Sequence, residues 1–209
     1  MNEEQRRELL NAYETLGEAI RTRLHEFRTL PQHKYFYELC YCLMTPQSSA
    51  LHCAAVAEEL ERRNFHDVEF DPAQLLRQHR GAYVRFHNVK ARRLLEAREK
   101  FGTIAAILHS RQNDKDVRDN LVDEVAGLGM KEASHFLRNI GRTGVCILDR
   151  HILRNLVSLG AMNELPTSIS RKRYRVIETM FEQLADDLRI PADEFDLLLW
   201  YRETGFVFK

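Results

Sequence analysis

The chain has 209 residues, 44% of them apolar and 30% charged, an ordinary balance for a water-soluble globular protein that buries one large core or two small ones. Basic and acidic residues number 31 each, which argues against a protein that gathers nucleic acid by overall charge. No stretch approaches the roughly 18 uncharged apolar residues of a membrane span, and the first residues are polar with no apolar signal core behind them, so a cytoplasmic protein is expected.

The elements read almost wholly helical. The spacing of Leu9, Leu10, Tyr13, Leu16 and Ile20 predicts an amphipathic helix over 3–27. An aromatic-rich helix over 35–44 ends at Thr45-Pro46, and Ser48 opens another toward residue 60. Asp71-Pro72 reads as a cap followed by a first-turn proline. A basic amphipathic helix is expected over 89–101, then helices over 103–108, 117–128 and 132–140. Asp149 caps a helix over 150–159, a long helix covers 168–188, and Pro191 opens a last one to about residue 202. Residues 145–148 (Val-Cys-Ile-Leu) are the best strand candidate; short and without a partner, they are read as a buried connector. The expected fold is all-α, a single helix–hairpin–helix unit with a cleft between two helical lobes. One lobe covers about 30–155 with a hairpin over 117–141. The other joins 1–29 to 156–209, because the N-terminal helix needs a surface to cover and the C-terminal helices offer it.

Charge and thiols sharpen this picture. From Lys131 to Arg175 nine basic residues face only Glu132, Asp149 and Glu164, so the neutral total hides a basic middle. The four cysteines, Cys40, Cys42, Cys53 and Cys146, match no zinc finger or ribbon spacing, and buried reduced thiols are expected, with no metal.

The chemistry points to Gly127-Leu128-Gly129-Met130-Lys131. An apolar run leads into two glycines one residue apart, and a helix leads out. Such a hairpin brings backbone N–H groups of a helix N-terminus to a phosphate. Lys131 stands at that terminus, and Asp149 follows 18 residues on. An amine that attacks carbon must be neutral, and burial together with the positive end of a helix dipole favours that form. A carboxylate fixed at a helix N-cap can stabilise positive charge developing on a sugar and help move protons. A plain backbone clamp, in which Lys131 simply meets a phosphate, is the alternative at this point.

Leu128-Gly129-Met130-Lys131 with Leu148-Asp149-Arg150-His151 resembles the helix–hairpin–helix DNA glycosylase superfamily. Four separated blocks narrow the resemblance to the archaeal-type 8-oxoguanine DNA glycosylase/lyase family: 43–50 (Leu-Met-Thr-Pro-Gln-Ser-Ser-Ala), 84–91 (Val-Arg-Phe-His-Asn-Val-Lys-Ala), 131–139 and 197–201 (Leu-Leu-Leu-Trp-Tyr). The resemblance implies that Lys131 is the nucleophile and Asp149 its catalytic partner, and that base removal is coupled to strand cleavage. It implies Phe86 and Trp200 as the walls for a flipped purine, Gln47 and Ser48 in a loop that meets the DNA near the extruded nucleotide, and Lys209 as a reader of the lesion, its terminal carboxylate accepting from N7–H. Gly127 and Gly129 would form the backbone clamp; Lys90 and Arg138 would be phosphate contacts. The superfamily's iron–sulfur members carry four clustered C-terminal cysteines that this chain lacks, so no cluster is expected. No cofactor is required, and a monovalent cation on the hairpin carbonyls is the one ion the resemblance brings. The expected partner is double-stranded DNA bearing 8-oxoguanine, met by a monomer. Two alternatives stay open on the sequence: a glycosylase for another oxidised or alkylated base, and a helix–hairpin–helix module that binds without chemistry.

Overall fold

A computed structural model describes residues 1–207. Among these residues the regular structure is helical: α1 (Glu3–Arg28), a 3-10 turn (Gln32–Lys34), α2 (Tyr35–Met44), α3 (Ala50–Arg62), α4 (Ala73–Arg77), α5 (His87–Glu99), α6 (Phe101–Leu108), α7 (Asp114–Glu124), α8 (Met130–Asn139), α9 (Arg150–Ser158), α10 (Arg171–Leu188) and α11 (Ala192–Thr204). No strand forms among the described residues; the β-type pairing there is an isolated bridge between His79 and Ala82. None of the helices is long and apolar enough to cross a membrane.

The chain forms two compact units. A terminal unit joins Met1–Thr29 to the residues from Gly141 onward, and an inserted unit is the continuous run Leu30–Ile140. The sequence set the later boundary near residue 155; residues 141–155 instead belong with the terminal unit, for a reason visible in α10. Tyr174 Oη donates to Cys146 O (2.7 Å) and accepts from Leu148 N (3.0 Å), and Glu178 Oε1 accepts from Cys146 N (2.9 Å). Residues 145–148 are thus a buried connector whose backbone bonds to side chains rather than to a sheet.

In the terminal unit, α1 starts with a capping box in which Asn2 and Gln5 satisfy each other's backbone N–H. Its stripe of Leu9, Ile20, Leu24 and Phe27 is buried, and α1 packs on α11. Each such side chain contributes about 1.5–3 kcal/mol by leaving water. Polar contacts fix the register: Tyr13 Oη donates to Glu194 Oε2 (2.7 Å), and Arg28 pairs with Asp193 (2.8 Å). Gly141 has φ +86°, and a Cβ there would lie 2.6 Å from Arg28 Cα, so only glycine lets the chain re-enter the unit this close to the end of α1.

In the inserted unit, α2 is the central helix: Phe36, Tyr37 and every residue from Leu39 to Met44 are buried, against α3, α5 and α8. Phe36, Phe65 and Phe101 form an aromatic cluster with centroid separations of 5.2 and 5.9 Å. Asn139 Nδ2 donates to Glu38 Oε2 (3.0 Å), tying α8 to α2. The helix expected over 89–101 starts two residues earlier and stops at Lys100, whose ψ of 0° begins α6 as a separate helix. All four cysteines are buried and outside any disulfide.

Candidate active site

The hairpin lies in the inserted unit. After α7, Val125 is extended, Leu128 N donates to Val125 O (3.1 Å), and Gly127 turns the chain at φ +85°. The apolar anchors Val125 and Leu128 are each 3% exposed, while Ala126 and Gly127 between them are exposed residues. Gly129 is the N-cap of α8 and offers no side chain to its first turn. The N–H groups of that turn have no intrahelical acceptor, which makes the turn an anion site by construction. Lys131 is the second residue of α8. Its side chain keeps 27% of its surface, and Nζ pairs with Glu132 Oε1 at 3.1 Å. Glu132 also fills the space over Gly129, where a Cβ would lie 2.8 Å from Oε2. Sequence reasoning missed Glu132, although its place three residues after the cap is where a carboxylate folds back on a helix start.

Gln47, Ser48 and Phe86 also belong to this unit. Gln47 is exposed with φ +57°, and Phe86 is the N-cap of α5 with φ +59° and is 53% exposed. A left-handed backbone costs a side-chain-bearing residue about 1–2 kcal/mol. An exposed phenyl ring recovers little of that by burial. The Arg85 guanidinium lies over the Phe86 ring, 5.7 Å from its centroid.

Two expected phosphate contacts are elsewhere. Lys90 is 2% exposed, and its amine donates to Met44 O (2.6 Å), Pro46 O (2.7 Å) and Ser48 Oγ (3.0 Å). With three acceptors the ammonium is used up inside the protein, at the negative end of the α2 dipole. Burial pulls its pKa down to about 8. Arg138 is 5% exposed and donates to Asn139 Oδ1 (3.0 Å), so it too is interior. Long cationic side chains are rarely this buried, and the sequence carried no sign of it. Burial raises the thiol of Cys53 to about 11, offset in part by the nearby amines of Lys90 and Lys131.

Asp149 and Trp200 belong to the terminal unit. Asp149 is half-buried and caps α9, Oδ1 accepting from Ile152 N at 2.9 Å. This leaves Oδ2 as the atom that the cap does not use. His151, the second residue of α9, meets Trp200 of α11 edge-on at 5.4 Å between centroids, so the indole stands by the same helix end as Asp149. Glu203, which sequence reasoning missed, fixes this pair: it accepts from Asn155 Nδ2 (3.1 Å) and contacts His151 Nδ1 (3.2 Å). Lys209 lies outside the described residues. Cys146, Glu178 and Glu182 bring ligand-type atoms within 4.8 Å of one another. Glu178 already accepts the Cys146 N–H, which makes this a buttress of the connector.

Comparison with known proteins bears on this geometry. A family model described as 8-oxoguanine DNA glycosylase matches residues 20–190. The chain is 35% identical to an 8-oxoguanine DNA glycosylase/AP lyase of Fusobacterium nucleatum, over 97% of this chain and 96% of the relative. The crystal structure of the 8-oxoguanine DNA glycosylase of Thermotoga maritima superposes with a TM-score of 0.88 at 31% identity, covering 99% of both chains. The 8-oxoguanine glycosylase/lyase of Methanocaldococcus jannaschii, solved with a 15mer DNA containing 8-oxoguanine, superposes with a TM-score of 0.85 at 32% identity, covering 96% of this chain and 99% of that one.

Proposed function

We infer the function from one premise: the chain belongs to the 8-oxoguanine DNA glycosylase family. It excises 8-oxoguanine from DNA and then cleaves the strand as an AP lyase. The target carbon, C1′, lies inside the duplex, so the damaged nucleotide is flipped out before reaction. The Lys131 amine attacks C1′, the glycosidic bond breaks, and the base departs with its electron pair and a proton from the amine. The amine–C1′ adduct opens the sugar ring to a Schiff base. Loss of a C2′ proton then expels the 3′ phosphate by β-elimination, and hydrolysis frees the amine. Asp149, its position fixed by the Ile152 N–H, stabilises positive charge on the sugar and assists the proton transfers.

The remaining roles follow the same reading. Phe86 and Trp200 stack on the flipped base, and Gln47 fills the space it leaves. The hairpin N–H groups at Gly127 and Gly129 hold the phosphate backbone. Hairpin carbonyls are the donor type a monovalent cation takes; those of Val125 and Gly129 already accept from Leu128 N and Ala133 N. A cation there would add positive charge toward a phosphate. The chemistry needs no cofactor. The protein works as a monomer in the cytoplasm, on chromosomal DNA.

The observation that carries the proposal is Lys131, part-exposed on the first turn of α8 directly after a glycine hairpin. Borohydride added during reaction with duplex DNA containing 8-oxoguanine reduces the Schiff base and links protein to DNA. Lys131→Gln abolishes the adduct; an undiminished adduct in that variant removes Lys131 from the mechanism.

A further inference from the structure

The two exposed, left-handed residues Gln47 and Phe86 share one support. The side chain of Lys90 bonds Met44 O, Pro46 O and Ser48 Oγ, bracketing Gln47 on both sides. Its backbone N–H donates to Phe86 O (3.0 Å). Ser48 Oγ closes the circuit by accepting from the backbone N–H of Arg85 (2.9 Å), the residue before Phe86. One buried lysine and one hydroxyl therefore connect the end of α2, the turn over 45–48 and the start of α5. A purely structural role would be met at lower cost by a methionine of similar volume, since burying a charge is expensive and an apolar replacement is often as stable. What the ammonium adds is direction: three acceptors at fixed angles, which an apolar side chain cannot hold.

We propose that Lys90 is a positioning residue for lesion reading, which, with Ser48, holds Gln47 and Phe86 in the rigid presentation they take toward DNA. The inference rests on the reading above that these two side chains meet the flipped nucleotide and the space it leaves. Lys90 itself touches no DNA. Ser48, assigned by its sequence block to substrate, acts through the same circuit.

The test compares the wild type with Lys90→Met, Ser48→Ala and Ser48→Thr in three measurements. These are amide hydrogen exchange, single-turnover excision of 8-oxoguanine, and borohydride trapping on DNA with a ready-made abasic site, where there is no base to read. In Lys90→Met and Ser48→Ala, exchange at the Arg85 amide quickens about tenfold or more, as expected for loss of a hydrogen bond to a group held by charge. The ratio of excision to abasic-site trapping falls about tenfold in both. Ser48→Thr, which keeps the hydroxyl, retains the wild-type exchange and ratio. Excision and trapping falling together, in step with the folded fraction, would make Lys90 a stability residue and overturn the proposal. Unchanged exchange at Arg85 overturns the circuit itself. A wild-type protein that neither excises nor traps overturns the enzymatic reading and the lesion-reading role with it, while the exchange measurement still reports whether the circuit exists.

Discussion

Tyr174→Phe removes one oxygen atom from the terminal unit, far along the chain from Asp149, and its effect can be worked out bond by bond. The hydroxyl donates to Cys146 O at 2.7 Å and accepts from Leu148 N at 3.0 Å. Tyr174, Cys146 and Leu148 are 3%, 4% and 3% exposed, so water does not replace the hydroxyl. The ring stays, and with it the apolar burial. What is lost is the acceptor for a buried N–H and a short bond to a carbonyl, each worth about 1–3 kcal/mol when left uncompensated. We expect Tyr174→Phe to lose about 2–4 kcal/mol, a large share of the 5–15 kcal/mol typical of a domain. Urea unfolding measures it as a lower midpoint at unchanged slope. Because residues 145–148 run straight into Asp149, single-turnover excision, corrected for folded fraction, should also fall about tenfold, a displacement effect of the kind a shift of an ångström or less produces. A loss below about 0.5 kcal/mol with an unchanged excision rate would refute the idea that the tyrosine hydroxyl holds the connector.

Three further outcomes follow from the same structure. Asp149→Asn keeps an oxygen to accept from Ile152 N but removes the charge, so stability changes by less than about 1 kcal/mol while single-turnover excision falls about 100-fold; excision within twofold of wild type would show that the carboxylate takes no part. Phe86→Gly relieves a left-handed backbone and gives up little burial, so the unfolding midpoint holds within about 1 kcal/mol as excision drops; a clear loss of stability would mean that the ring is packing, not reading. The lysine at position 90 gives a pH signature. Burial lowers its pKa to about 8 in the folded protein, against an ordinary lysine value of 10.5. The folded state therefore releases this proton first, and the cost of burying the charge, full below pH 8, is relieved as pH rises toward 10.5. The stability of the wild type minus that of Lys90→Met should rise across that window, by on the order of 3 kcal/mol. A flat difference curve between pH 8 and 10.5 would contradict the buried, charged amine.

Much of the molecule was legible in the sequence, because the signals were local. The helix over 35–44 has the bounds read from its aromatic run and Pro46, and Asp149 caps α9 as its spacing before an apolar stripe indicated. The hairpin was readable because glycine at a positive φ leaves a trace in composition. Gln47 and Phe86 adopt the same backbone region with no such trace, since nothing in a glutamine or phenylalanine announces it. Lys90 and Arg138 defeated the reading for a related reason: a cation in an amphipathic helix is taken for surface, and only three-dimensional neighbours reveal a partner set that retains it inside. Tyr174 and Glu178 stand one turn apart on the buried face of α10. That buried glutamate within an apolar stripe was the available clue that α10 binds a backbone rather than a sheet, and it would have moved the unit boundary from 155 to 140.

The inserted unit is one continuous run, Leu30–Ile140, whereas the terminal unit is built from both flanks of the chain. On the ribosome this sets an order of events. Residues 30–140 emerge as one uninterrupted stretch, but α1, made before them, has its partner α11 only after roughly 160 further residues, on the order of ten seconds or more of synthesis. For that interval the stripe of Leu9, Ile20, Leu24 and Phe27 faces water or a chaperone. A helix translated before the inserted unit is thus completed only after it, and its apolar stripe needs cover throughout that interval.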